Sequence, residues 1–128
     1  MIKEQKYIIS PELNSLNSFS PKLKIAVLAS GEGSNFQVLI DLAKKDKFDI
    51  DIKILICNKK DAGCVKRAIK EKIPYFICEE SSCKSRDDFE LKIIDKLIEI
   101  DIELIVMAGW MRILTEKFIN GVSRKIIN

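Results

Sequence analysis

The sequence predicts a doubly wound α/β domain, and three observations predict it. Short β-branched runs alternate with stretches of helical spacing from Lys24 onward. Two of those runs, Val27 to Ala29 and Leu104 to Ala108, are apolar on both faces, as strands of a covered parallel sheet must be. Glycines follow the first and fourth runs, where a strand hands over to a loop. Right-handed crossovers then put helices on both faces of the sheet, in a Rossmann-like arrangement.

Each element has its own signal. Lys24-Ile25-Ala26-Val27-Leu28-Ala29 is a buried strand ended by Ser30 and Gly31. Phe36, Leu39, Ile40 and Ala43 then fall at helical spacing, and Ser34 with Gln37 has the form of a capping box, so this helix is expected to start at Ser34. Asp51-Ile52-Lys53-Ile54-Leu55-Ile56-Cys57 is a second strand, closed by Asn58-Lys59-Lys60-Asp61-Ala62-Gly63. A helix is expected from about Cys64 to Glu71, then a short strand, Tyr75-Phe76-Ile77, and a polar loop. Ser85 with Asp88 opens the longest helix, whose Phe89, Ile93, Ile94 and Leu97 share one face. Glu103-Leu104-Ile105-Val106-Met107-Ala108 is the fourth strand, ending at Gly109, and Thr115 is expected to cap a short helix containing Phe118 and Ile119. Residues 1–22 are Ser-rich, contain Pro11 and Pro21, and show no sustained period. They read as a loosely ordered extension before a single domain over 23–128.

Composition excludes several classes. The 128 residues are 47% hydrophobic and 32% charged, which is globular rather than disordered. A net charge of +3 is too small and too interspersed to argue for nucleic acid. No apolar run approaches the roughly 18 residues of a membrane span. The start, Met1-Ile2-Lys3-Glu4-Gln5-Lys6, has no apolar core of a secretory signal, so the cytoplasm is the expected compartment. The four cysteines (Cys57, Cys64, Cys78, Cys83) do not have zinc-knuckle spacing and no histidine exists to complete a mixed site. They read as reduced structural thiols, with no metal expected.

Ligands in such sheets collect beyond the carboxyl ends of the strands. The first loop there, Ser30-Gly31-Glu32-Gly33-Ser34-Asn35, lacks the third glycine of a dinucleotide fingerprint, since Phe36 stands in its place, and it has no Walker lysine. It reads equally as a tight turn before a helix or as a site for one phosphate, in which Gly33, Ser34 and Asn35 offer amides. Glu32 is unfavourable beside an anion unless it points away. The second loop, Ala108-Gly109-Trp110-Met111-Arg112-Ile113-Leu114, either lines a slot for a flat heterocycle or packs Trp110, Ile113 and Leu114 into the core. Arg86, at the start of the long helix, either binds a carboxylate or is solvated.

Taken together, Ala29-Ser30-Gly31-Glu32-Gly33-Ser34-Asn35-Phe36-Gln37, Asn58-Lys59-Lys60-Asp61-Ala62, Ser85-Arg86 and Ala108-Gly109-Trp110-Met111-Arg112-Ile113-Leu114 resemble the phosphoribosylglycinamide formyltransferases of purine biosynthesis. The resemblance runs from about Lys24 to the last residue. It implies formyl transfer from 10-formyltetrahydrofolate, as formyl-donor cosubstrate, to the amine of the small-molecule substrate glycinamide ribonucleotide. It also implies that Gly33, Ser34 and Asn35 hold the substrate phosphate, and that Arg86, Met111, Arg112, Ile113, Leu114 and Asn128 hold the folate. Asn128 matches the asparagine that opens the family's N-x-H-P-S-L-L-P segment, where its amide stabilises the oxyanion. Alternative readings are a formyltetrahydrofolate deformylase, a methionyl-tRNA formyltransferase, or a non-catalytic phosphate-binding module. The S-G-x-G-S-N loop speaks against the first two, because neither needs that small phosphate site.

Glu32 and Trp110 stand where the family commonly has Asn and Phe. The sequence stops at Asn128, two residues before the family's catalytic His, so it looks like the N-terminal portion of the enzyme, with the C-terminal strands missing. The fourth strand, central in the family, is then expected to be an exposed apolar edge that favours self-association. Removing a member of a catalytic unit costs several powers of ten in rate. These 128 residues alone are therefore expected to show no useful transferase activity. A turnover assay with both substrates checks this, and histidine-independent turnover would overturn it.

Overall fold

Both faces of the first strand are apolar, and that places it inside the sheet. In the computed structural model, which describes residues 22–45, 48–122 and 125–128, β1 (Leu23–Ala29) has Ile25 to Ala29 at 1% exposure or less. It is flanked by β2 (Ile50–Cys57) and β4 (Leu104–Met107), both parallel to it. The sheet continues outward to β3 (Tyr75–Ile77) on one side and β5 (Ile126–Ile127) on the other, giving the all-parallel order β3-β2-β1-β4-β5. The doubly wound reading is correct. Of the expected extension over residues 1–22, all but Lys22 lies outside the described residues.

Strand alternation divides the core into two layers. Ala26 and Leu28 of β1, Ile54 and Ile56 of β2 and Ile105 of β4 face α3 (Arg86–Glu99) and α4 (Glu116–Gly121), meeting Phe89, Ile93, Leu97 and Phe118. Ile25, Val27 and Ala29, with Leu55 and Cys57, face α1 (Ser34–Lys44) and α2 (Gly63–Lys70), meeting Phe36, Ile40, Cys64, Val65 and Ala68. The apolar face expected for the longest helix is the buried one: Phe89, Ile93, Ile94 and Leu97 all lie inside. Among the described residues no helix is long and apolar enough to cross a membrane.

Two expectations need correction. The fourth strand is not the sheet edge, because Ile105 and Val106 pair with Ile126 and Ile127 of β5. Two residues are too short to show a period, so β5 left no sequence signal. The edge has passed to β5, where Ile127 is half exposed. Nor does Ser34 cap α1 through a capping box. Gly33 occupies the cap position with φ 83°, and no side-chain cap is bonded to the helix start. Gln37 does not reach back. Its amide nitrogen donates to Asp41 at 3.0 Å and its oxygen accepts from Arg67 at 3.3 Å.

The other two caps behave as expected. Thr115 Oγ1 accepts the Phe118 N–H at 3.1 Å. Ser85 Oγ accepts the Asp88 N–H at 3.1 Å, and Asp88 returns a carboxylate to the Lys84 N–H at 3.0 Å. That bond from the Lys84 amide holds the Asp88 carboxyl below its ordinary value. A depressed carboxyl stabilises the fold above its unfolded pKa and loses that contribution as pH falls through the folded one. Acid titration of Ser85→Ala and Asp88→Asn by chemical denaturation should show this. Ser85→Ala should lose about 1 kcal/mol at neutral pH, and Asp88→Asn should flatten the stability loss at the acid end.

Candidate active site at the carboxyl ends of β1 and β4

The chain winds from β1 to β2 and β3 on one side, then returns to place β4 on the other side of β1. The loops leaving β1 and β4 therefore diverge, and the crevice between them is where doubly wound sheets bind ligands. Here the two loops are also stitched together. The Ser30 N–H donates to the Gly109 carbonyl at 3.0 Å, and Ser30 Oγ accepts the Met111 N–H at 2.9 Å. Ser30 is 2% exposed. Its hydroxyl is thus a buried acceptor for a loop amide rather than a surface group.

The first loop has the form of an anion site. The first intrahelical bond of α1 runs from the Gln37 N–H to the Gly33 carbonyl at 2.8 Å, so the preceding amides have no partner within the helix. With no side-chain cap bonded to the helix start, the amides of Ser34, Asn35 and Phe36 carry the positive end of the helix dipole. Glycine is required at position 33 twice over. Its φ is left-handed, and a Cβ there would lie 2.7 Å from Cys64 Cβ. Glu32 turns toward α2. Its carboxylate rests on Gly63, where a Cβ would come within 2.5 Å of Oε1. The acid therefore lies at the start of α2, whose dipole favours it.

Beneath this loop, the Cys64 thiol donates to Cys57 Sγ at 3.5 Å. That bond pulls the Cys57 thiol down to about 7, while the contact with Cys57 and burial push Cys64 up. Burial pushes Cys78 up to about 12. All four cysteines are free, three of them buried and Cys83 half-buried.

The second loop resolves into a packed half and an open half. Trp110 is 8% exposed and stacks on Phe89, with ring centroids 6.4 Å apart at an interplanar angle of 7°. Leu114 packs on the same core layer. Met111 and Ile113, by contrast, are 71% and 83% exposed. Trp110 is thus core, and Ile113, which the packed reading placed in the core, is not.

The guanidiniums near this loop hold it in shape. Arg112 pairs with Glu80, and Arg86 donates to the Ile113 carbonyl and lies 3.8 Å from Glu90. Glu90, 3% exposed, also accepts from the backbone N–H (3.2 Å) and the hydroxyl of Thr115. Arg86, a third of whose side chain stays exposed, is therefore held at the Ile113 carbonyl beside Glu90 rather than presented freely to a ligand carboxylate.

At the crevice itself, Asn35 and Asn128 line one recess of about 240 Å³ with Val106, Met107 and Ala108. The structure brings these two expected site residues together from opposite ends of the sequence. Arg86 and Arg112 are not among its lining residues. Three residues escaped sequence reasoning: Ser30, Arg67 and Glu90. Each acts by holding a backbone carbonyl, a backbone amide or a neighbouring side chain, and such roles carry no spacing signal.

Comparison with known proteins matches this architecture. The profile of the formyl transferase family covers residues 23–128. The chain belongs to that family. It is 37% identical over 105 residues to the phosphoribosylglycinamide formyltransferase of Bacillus subtilis, covering 82% of this chain and 54% of that protein. Over 107 residues it is 35% identical to the human trifunctional purine biosynthetic protein adenosine-3, covering 84% of this chain and 11% of that one. Among solved structures, glycinamide ribonucleotide transformylase 1 from Geobacillus kaustophilus superposes with a TM-score of 0.79 at 31% identity. That match covers 82% of this chain and 56% of the other. The phosphoribosylglycinamide formyltransferase of Coxiella burnetii gives 0.77 at 37% identity, over 82% and 49%. The chain thus spans about half the length of the single-function relatives it matches.

Within this formyl transferase domain, Ser30 is the link between the two loops. Ser30→Ala removes the side-chain acceptor that the part-buried Met111 amide has among the described residues. Losing this part-buried hydrogen bond should cost about 0.5–1.5 kcal/mol. Chemical denaturation measures that loss, and proteolysis within the 109–114 loop should accelerate.

Proposed function

We propose that this chain supplies the substrate-phosphate site and the folate-facing loop of a phosphoribosylglycinamide formyltransferase. In this reading a formyl group passes from 10-formyltetrahydrofolate to the amine of glycinamide ribonucleotide. One observation carries the proposal: Asn35, on the turn with the form of an anion site, and Asn128, which the motif resemblance matches to the asparagine opening the family's catalytic segment, share a recess although they stand at opposite ends of the domain. The named relatives support it, since they are phosphoribosylglycinamide formyltransferases or trifunctional purine biosynthetic proteins. Their names favour neither a deformylase nor a tRNA formyltransferase.

The residues divide the work by chemistry. The amides of Gly33, Ser34 and Asn35 would fix the substrate phosphate, anchoring the far end of the molecule so that its amine is held in the crevice. 10-Formyltetrahydrofolate supplies an electrophilic formyl carbon. The Asn128 carboxamide would donate to the formyl oxygen as negative charge develops there. The exposed, apolar Met111 and Ile113 suit a flat heterocycle, and Arg86, Arg112 and Leu114 would hold the loop that presents them. An imidazole used in proton transfer would come from outside these 128 residues, which contain no histidine.

Calorimetric titration of glycinamide ribonucleotide into the purified chain tests the proposal. Saturable binding is expected, and Asn35→Ala, which keeps the backbone amide but removes the side chain lining the recess, should weaken it about tenfold, close to 1.4 kcal/mol. A folded sample that does not bind would count against it.

A further inference from the structure

We infer that Arg67, on α2, is a positioning residue for the phosphate-binding turn; the inference rests on the function proposed above. Three consecutive residues of that turn are gripped from α2. The Cys64 N–H donates to the Gly31 carbonyl at 2.9 Å, and Arg67 Nε donates to the Glu32 carbonyl at 2.7 Å. Gly33 itself is seated against Cys64, and a Cβ there would also meet Arg67 Cδ at 3.2 Å. Arg67 then reaches past the glycine, because its Nη1 donates to Gln37 Oε1 at 3.3 Å. Gln37 is also the residue whose N–H closes the first turn of α1 on the Gly33 carbonyl.

One planar guanidinium therefore holds the residue before the left-handed glycine and the residue four positions after it. The conformation of Gly33 decides where the amides of Ser34 and Asn35 point. A glycine left to itself visits many conformations, and fixing it removes most of them. The fork of Arg67 is rigid and delivers two bonds in a set geometry. A lysine carries the same charge but offers a single flexible point of attachment and cannot reproduce both bonds. If Arg67 acts by geometry, charge alone will not replace it.

The experiment compares the full chain with Arg67→Ala and Arg67→Lys by two readouts. The first is calorimetric affinity for glycinamide ribonucleotide and for inorganic phosphate. The second is amide hydrogen exchange at Gln37 and Cys64, with the central-strand amides of Leu28 and Ile56 as internal controls. Both variants are expected to bind at least tenfold more weakly and to exchange at least tenfold faster at Gln37, with the controls unchanged. Wild-type affinity in Arg67→Lys would overturn the inference, because charge would then suffice. So would loop amides that exchange at wild-type rates in either variant, or that accelerate only in step with the controls. Should the unsubstituted chain bind neither probe, the proposed function fails, and the exchange data still decide whether Arg67 orders the turn.

Discussion

The seam between β1 and β4 is the constraint on which the rest depends. β1 is buried on both faces and paired along both edges. Its carboxyl end must therefore leave the sheet into a loop whose polar groups need partners close by. Gly109 and Met111, just past β4, provide them through the backbone and hydroxyl of Ser30. That pairing brings two otherwise unrelated loops to one place. It also fixes their divergence, since α1 departs on one face of the sheet while the chain after β4 runs toward α4 on the other. The recess between Asn35 and Asn128 is the geometric result.

Polar side chains around the crevice serve the backbone more than the solvent. Glu90 is a buried carboxylate that holds the start of α4 through Thr115 and stands beside Arg86. Arg86 in turn holds the Ile113 carbonyl, and Arg112 is tied down by Glu80. Stripping one partner from such a group leaves a charge or an amide unpaired in a low dielectric, which costs more than the contact contributes. The exposed apolar pair, Met111 and Ile113, thus stands on a loop braced by Arg86 and Arg112, although the Nε of each arginine is buried without a hydrogen-bond partner among the described residues. Order in the loop and exposure of its apolar side chains have the same origin.

Much of the fold was legible because the signals were local. Strand alternation, the Phe89, Ile93, Ile94 and Leu97 stripe, and the Ser85 and Thr115 caps depend on residues within a few positions of one another. The errors came where local signals compete with distant ones. Ser34 and Gln37 have capping-box spacing, yet Arg67 and Asp41 claim the Gln37 side chain, and the cap passes to Gly33. Spacing favours Trp110 as core over a ligand-slot wall, and Phe89, stacked on it from another element, agrees, whereas Ile113, given the same reading, stands exposed. β5 was invisible because two isoleucines become a strand only when β4 offers a free edge.

By itself, then, the sequence determined the class of fold, the order of its elements and the residue types gathered at the strand ends. Periodicity and the glycine positions carry that information along the chain, and the motif resemblance added the family. Tertiary structure decided which side chains line the crevice and which serve as braces. Glu32 turns from a liability into a partner for α2 only because Gly63 leaves room for it. Asn35 and Asn128 come to line one recess only because β1 and β4 lie side by side. The physical reason is that hydrogen-bond satisfaction and close packing are settled between elements, over separations that no sequence period spans.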